Sequence, residues 1–83
     1  MEEYSFIAGF TRDPVSVAVE FPDLPGCFTQ GDDYREAFLN AKEALHLHLV
    51  GMIMDGEEIP TPRTFDDITP NKDTIYRLIQ IQI

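Results

Sequence analysis

Tyr4, Phe6, Ala8 and Phe10 recur at alternate positions with Ser5 and Gly9 between them. That period of two, with aromatics, predicts a β-strand. The next four residues, TRDP, are turn formers, and after them Val15, Val17, Val19 and Phe21 alternate with Ser16, Ala18 and Glu20. So short a connection makes the pair an antiparallel hairpin, with Phe6, Phe10, Val17 and Val19 facing a common core.

The stretch EFPDLPGCFTQGDD follows, with two prolines, two glycines and the chain's one cysteine in fourteen residues. Pro22 and Pro25 stiffen a turn, Gly26 relieves its backbone, and Cys27 to Gln30 reads as a short third strand ended by Gly31. Asp33 then stands three residues before Glu36. This is a capping box, in which the Asp carboxylate accepts the amide of the third helical residue and the Glu reaches back. The helix that begins there places Tyr34, Phe38, Ala41, Leu45, Leu49 and Met52 on one face, the face that covers the sheet. Leu39, Leu47, Val50 and Met54 lie on the opposite side. Either this second stripe packs under the chain downstream or it meets a partner.

Asp55 and Gly56 end the helix, Gly56 as a left-handed cap. A proline-containing exit, EEIPTPRTFDDITPNKD, holds one helical turn starting at Thr64. Thr74 to Ile83 is the last strand, with Ile75, Ile79, Ile81 and Ile83 on one face and Tyr76, Leu78, Gln80 and Gln82 on the other. The order strand, strand, strand, helix, strand describes a single α+β domain over residues 1–83, an antiparallel-rich sheet with one helix packed on one face.

Eighty-three residues hold one small core. A chain this short buries roughly 60–65% of its unfolded surface, so an exposed apolar face calls for an oligomer or a complex. Fifteen acidic residues against six basic ones give a net charge of −9 and a pI near 4.3. Such a surface repels phosphate backbones and attracts basic proteins, which argues against direct nucleic-acid binding by this chain. One cysteine excludes an internal disulfide and suits a reducing cytoplasm. No basic leader and no apolar run of membrane-spanning length occurs.

Candidate chemistry is thin. Cys27 in a strand behaves as a small apolar residue, with His46 and His48 the only imidazoles available to activate it. Those two histidines are two residues apart, about 200° around a helix, and cannot share a metal. His48 projects toward the core face and His46 toward solvent or an interface. Of the candidate carboxylates Glu20, Asp23, Asp32, Asp33, Asp55, Glu57, Glu58, Asp66 and Asp67, Asp33 caps the helix, Glu20 is on the outer phase of its strand and the others lie in loops, not on adjacent strands as a two-metal nuclease requires. Neither a catalytic site, a metal site nor a cofactor site is expected, and the chain does not read as an enzyme.

FPDLPGCFTQGDD, followed by EAFLNAKEALHLHLVGMIMDGEEIPTP, resembles the HicB antitoxin family. That family pairs a D-x-P-G loop and a glycine–aspartate helix start with an E-A-x-x-N-A-K-E-A-L helix and a D-G-E-x-I-P-x-P exit. The resemblance runs from about Tyr4 to Pro62. It implies a partial RNase H-like β-β-β-α-β domain without nuclease activity that binds HicA, a small basic ribonuclease toxin, and blocks its catalytic histidine. Members are usually dimeric or larger and continue into a DNA-binding domain, whereas this chain ends at Ile83, so no DNA-binding domain is expected within it.

The resemblance and the charge together give a mechanism of steric and electrostatic masking. Glu20, Asp23, Asp32 and Asp33 would pair with toxin Lys or Arg side chains, and Leu24 with neighbouring apolar surface would anchor the contact. Two alternatives remain: a stand-alone dimer that uses the last strand and the second helix stripe, and a metal-dependent hydrolase of RNase H-like fold.

Overall fold

The first expected strand forms as β1, Glu3–Arg12, and lies inside the sheet rather than at its edge. β2 is Val17–Glu20, β3 Phe28–Gly31, α1 Tyr34–Met54 and β4 Thr74–Gln82, with a single 3-10 turn at Phe65–Asp67 capped by Thr64. The computed structural model describes residues 1–83, all of the chain. Its sheet has the order β3-β2-β1-β4, and every neighbouring pair is antiparallel. No helix is long and apolar enough to cross a membrane.

β2 begins two residues later than the alternation suggests. The Asp13 carboxylate accepts the amides of Val15 at 3.0 Å and Ser16 at 2.8 Å, so Val15 joins the hairpin turn and is left exposed. Those two backbone bonds, then the Ser16 hydroxyl, hold the Asp13 carboxyl below its ordinary pKa.

β1 and β4 pair without interruption from Glu3 opposite Gln82 to Thr11 opposite Thr74. Alternation therefore puts Phe6, Ala8, Phe10, Ile79 and Ile81 on the face toward α1, where they join Val17 and Val19 in the core. The core extends into the connection after β2 through Phe21, Leu24 and Cys27, and no polar or charged side chain is buried in it. Ile7, on the other face of β1, is also buried, outside that cluster.

The buried line of α1 is Ala37, Ala41, Leu45 and Leu49. Tyr34 and Phe38, expected in the core, are instead 39% and 40% exposed. The reason is the approach of β3: a Cβ added to Gly31 would lie 2.3 Å from the Ala37 amide nitrogen. With the first turn of the helix held that near the strand, alanine fills the space beneath it and the rings turn to the flank. There the Arg12 guanidinium lies 6.0 Å from the Tyr34 ring centroid, and the Lys42 ammonium 5.8 Å from that of Phe38.

The helix cap forms with one change of partner. Glu36 N–H donates to the Asp33 carboxylate at 2.8 Å, but the Glu36 carboxylate reaches back to the amide of Asp32, one residue further than in the usual box. At the other end Asp55 is the C-cap and Gly56 takes φ +72°, as expected. Three of the four residues of the second stripe are left uncovered, Leu47 64% and Met54 81% exposed and Leu39 exposed as well, while Val50 is half-buried.

Candidate partner-binding surface

Two consecutive turns shape the segment after β2. Leu24 N–H donates to Phe21 O and Cys27 N–H to Leu24 O, each at 3.0 Å, so Pro22 and Pro25 each stand second in a turn, where no amide is needed. Gly26 follows Pro25 at φ +86°, the third position of a type II turn. A bond from Phe21 N–H to Cys27 O at 3.2 Å closes the loop and directs Phe21, Leu24 and Cys27 into the core.

Asp23 stays at the rim and ties this loop to the exit segment forty residues on. Its carboxylate accepts the Arg63 amide at 2.9 Å and pairs with the Arg63 Nε. This is the one ion pair in a chain with fifteen acids. The charge of Asp23 is therefore already met from within.

The five residues expected to bind a toxin do not form one patch. Asp23 and Leu24 sit by the C-terminal end of α1, facing Leu47, Met52 and Asp55. Asp32 and Asp33 are exposed at its N-terminal end. The 21 residues between the helix ends span about 31 Å at 1.5 Å per residue. Glu20 lies opposite Gly9 and Phe28 on the sheet face turned away from the helix. Leu24 is 1% exposed and packs in the core, so it forms a floor and not a protruding anchor.

What the sequence did not reveal is a groove of about 630 Å³ between the Asp23–Pro25 turn and the last two turns of α1. Leu24 and Met52 give it an apolar base, Asp55 and Glu57 an acidic rim. Its one legible sign is Ala44 to Met54, ALHLHLVGMIM, eleven helical residues with no Asp, Glu, Lys or Arg. His48, expected toward the core, is half-buried in the wall of this groove, and His46 is exposed on the side of α1 toward β4.

Cys27 is buried just before β3, its Sγ 3.8 Å from the Ala44 carbonyl. Burial pushes its thiol up to about 11, so at neutral pH it is a protonated packing group and not a nucleophile. No three His, Cys, Asp or Glu side chains come together in a way that could hold a metal ion.

Over residues 7–83 the chain matches the model of the HicB-like antitoxins of bacterial toxin–antitoxin systems. It is 40% identical over 68 residues to an uncharacterized 14.9 kDa protein from the rep–hol intergenic region of Haemophilus phage HP1, covering 78% of this chain and 51% of that protein. The chain spans about half the length of the curated relatives it matches. Among solved structures, a toxin–antitoxin complex from Streptococcus pneumoniae shares the fold with a TM-score of 0.85, at 18% identity over 98% of this chain and 70% of that one. A HicA3–HicB3 toxin–antitoxin complex gives 0.73 at 22% identity, over 92% and 95% of the two chains. Identities this low speak for the fold, one helix on a four-stranded antiparallel sheet. The match that runs from β1 through β4 decides the family: this chain belongs to the HicB-like antitoxins.

Proposed function

We propose that residues 1–83 form the toxin-binding domain of an antitoxin of a type II toxin–antitoxin system, acting in the cytoplasm. It binds a HicA-like ribonuclease toxin and neutralises it by covering the active site through which the toxin cleaves mRNA. The observation that carries this reading is the family match over β1 to β4, on a chain of net charge −9 in which only Asp23 is met by a cationic side chain. An enzyme built to hold RNA phosphates presents cations, and an acidic domain competes for the same surface. The role is binding, not catalysis, and no DNA contact is assigned to these residues.

A second, compatible reading is self-association. β4 is an edge strand of nine residues, with no proline, no bulge in its pairing to β1 and one charge, Arg77. Sheet edges that stay unpaired are usually shorter or blunted by charge. Two copies paired through β4 would make a continuous eight-stranded sheet.

Co-expression tests the main reading. A HicA-like toxin from the same genome arrests growth when induced alone; with this chain present growth resumes, and the two proteins co-purify one to one. If growth stays arrested and no complex forms with any such toxin, the reading fails.

A further inference from the structure

The groove at the C-terminal end of α1 has three properties that nothing within the chain explains. The first is Gly51, inside the helix and on the groove wall, where an added Cβ would meet nothing within 4 Å. Glycine is the poorest helix former after proline, so a position that no neighbour in the chain requires to be bare weakens the helix without return. A partner that comes close there would account for a bare position.

The second is charge. A helix C-terminus carries the negative end of the backbone dipole and is ordinarily balanced by Lys, Arg or His. The last turn of α1 has no basic residue; Asp55, Glu57 and Glu58 follow it instead, and the nearby Arg63 is already paired with Asp23. The third is the uncovered apolar ridge next to the groove, Leu47 and Met54, on a stretch of helix without charge. An apolar base, an acidic rim, an open helix backbone and an apolar shoulder match a long cationic side chain set in an apolar surround.

We propose that this groove is where the toxin docks, receiving one of its Arg or Lys side chains. The aliphatic stem lies over Leu24 and Met52 and passes Gly51, the charged head sits between Asp55 and Glu57, and Leu47 and Met54 cover apolar toxin surface around it. The inference rests on the antitoxin reading and refines it by moving the contact away from Asp32 and Asp33.

Calorimetric titration of the whole chain with a HicA-like toxin, its catalytic histidine replaced by alanine, separates the two. Gly51→Leu fills the groove at a position with open space and improves helix propensity, so thermal stability holds while affinity falls at least about a hundredfold. Asp55→Asn with Glu57→Gln weakens binding about tenfold and flattens its dependence on salt, whereas Asp32→Asn changes neither. If wild type binds and both groove variants bind equally well, the docking site is overturned and the antitoxin reading stands. If wild type binds no toxin, both fall. The double variant keeps the test decisive should Gly51→Leu not fold.

Discussion

Gly31 at the end of β3 rests directly on the backbone of Ala37 in the first turn of α1, with no room between them for a methyl group. An added Cβ would come within 2.8 Å of the Glu36 carbonyl carbon as well as 2.3 Å of the Ala37 nitrogen, and backbone on both sides cannot rotate away. Gly31→Ala therefore has to move the helix off the sheet or break its cap at Asp33. We expect a loss of about 3 kcal/mol or more in urea denaturation, a large share of the stability of so small a domain. Gly51→Ala goes the other way, by roughly 0.5–1 kcal/mol of gain, since its Cβ meets nothing. Equal midpoints for Gly31→Ala and wild type would show that the strand and helix are not held as described.

Cys27 gives a pH signature. Its thiol is raised from 9.0 to about 11 in the fold by burial, so the folded chain prefers the protonated form. The contribution is fully present below pH 9 and is lost as pH rises toward about 11, because only the unfolded chain ionises readily in that window. At pH 8 an aromatic disulfide reagent should leave the native thiol almost untouched and react promptly once urea unfolds the chain. Cys27→Ala should remove the alkaline loss of stability that tracks this group. Rapid labelling of the native protein at pH 8 would contradict its placement beneath Ala44.

Most of this architecture was legible because it is periodic. Alternation in β1 and β4 and the capping pair Asp33 and Glu36 are local signals, read within a few residues. The misses each depended on something distant or competing. Val15 continues the alternation of β2, but the Asp13 carboxylate claims its amide for the turn. Tyr34 and Phe38 have core periodicity, and only the contact between Gly31 and Ala37 shows why the smaller residues won. The groove was invisible because it joins the turn after β2 to the helix end and is tied by a pair forty residues apart, Asp23 and Arg63. Asp23 and Asp32, acids close in the sequence, fold to opposite ends of the helix.

That Asp23–Arg63 tie predicts a local effect larger than its global one. The Arg63 side chain is 44% exposed but that of Asp23 only 7%, so Arg63→Ala leaves a largely buried carboxylate with the Arg63 amide as its remaining partner and should cost about 1–3 kcal/mol. The exit segment loses its side-chain clasp to the turn after β2, and the 3-10 turn at Phe65–Asp67 has no buried residue of its own to hold it. Thermolysin cleavage next to Phe65 should therefore accelerate severalfold, and amide exchange at Ile68 should rise, while exchange in β1 stays slow. A uniform rise across the chain would mean that the pair supports the whole fold and not this segment.

The free edge of β4 makes the final prediction. Pairing of two β4 strands about a two-fold axis brings like residues from the two copies close together, and Arg77 is the only charge in the strand to oppose it. Both Arg77 and Gln80 are exposed, so Arg77→Glu with Gln80→Glu leaves the core of Ile79 and Ile81 intact while setting carboxylates against one another across the new ladder. Sedimentation velocity should show a concentration-dependent dimer for wild type and a monomer for the double variant, with unchanged thermal unfolding of the monomer. Toxin binding through the groove lies on the other side of α1 from Lys42 and His46, which flank this edge, so it should survive in the monomeric variant. Wild type that sediments as a monomer at every concentration would remove the edge as an interface and leave the groove as the one partner surface on the domain.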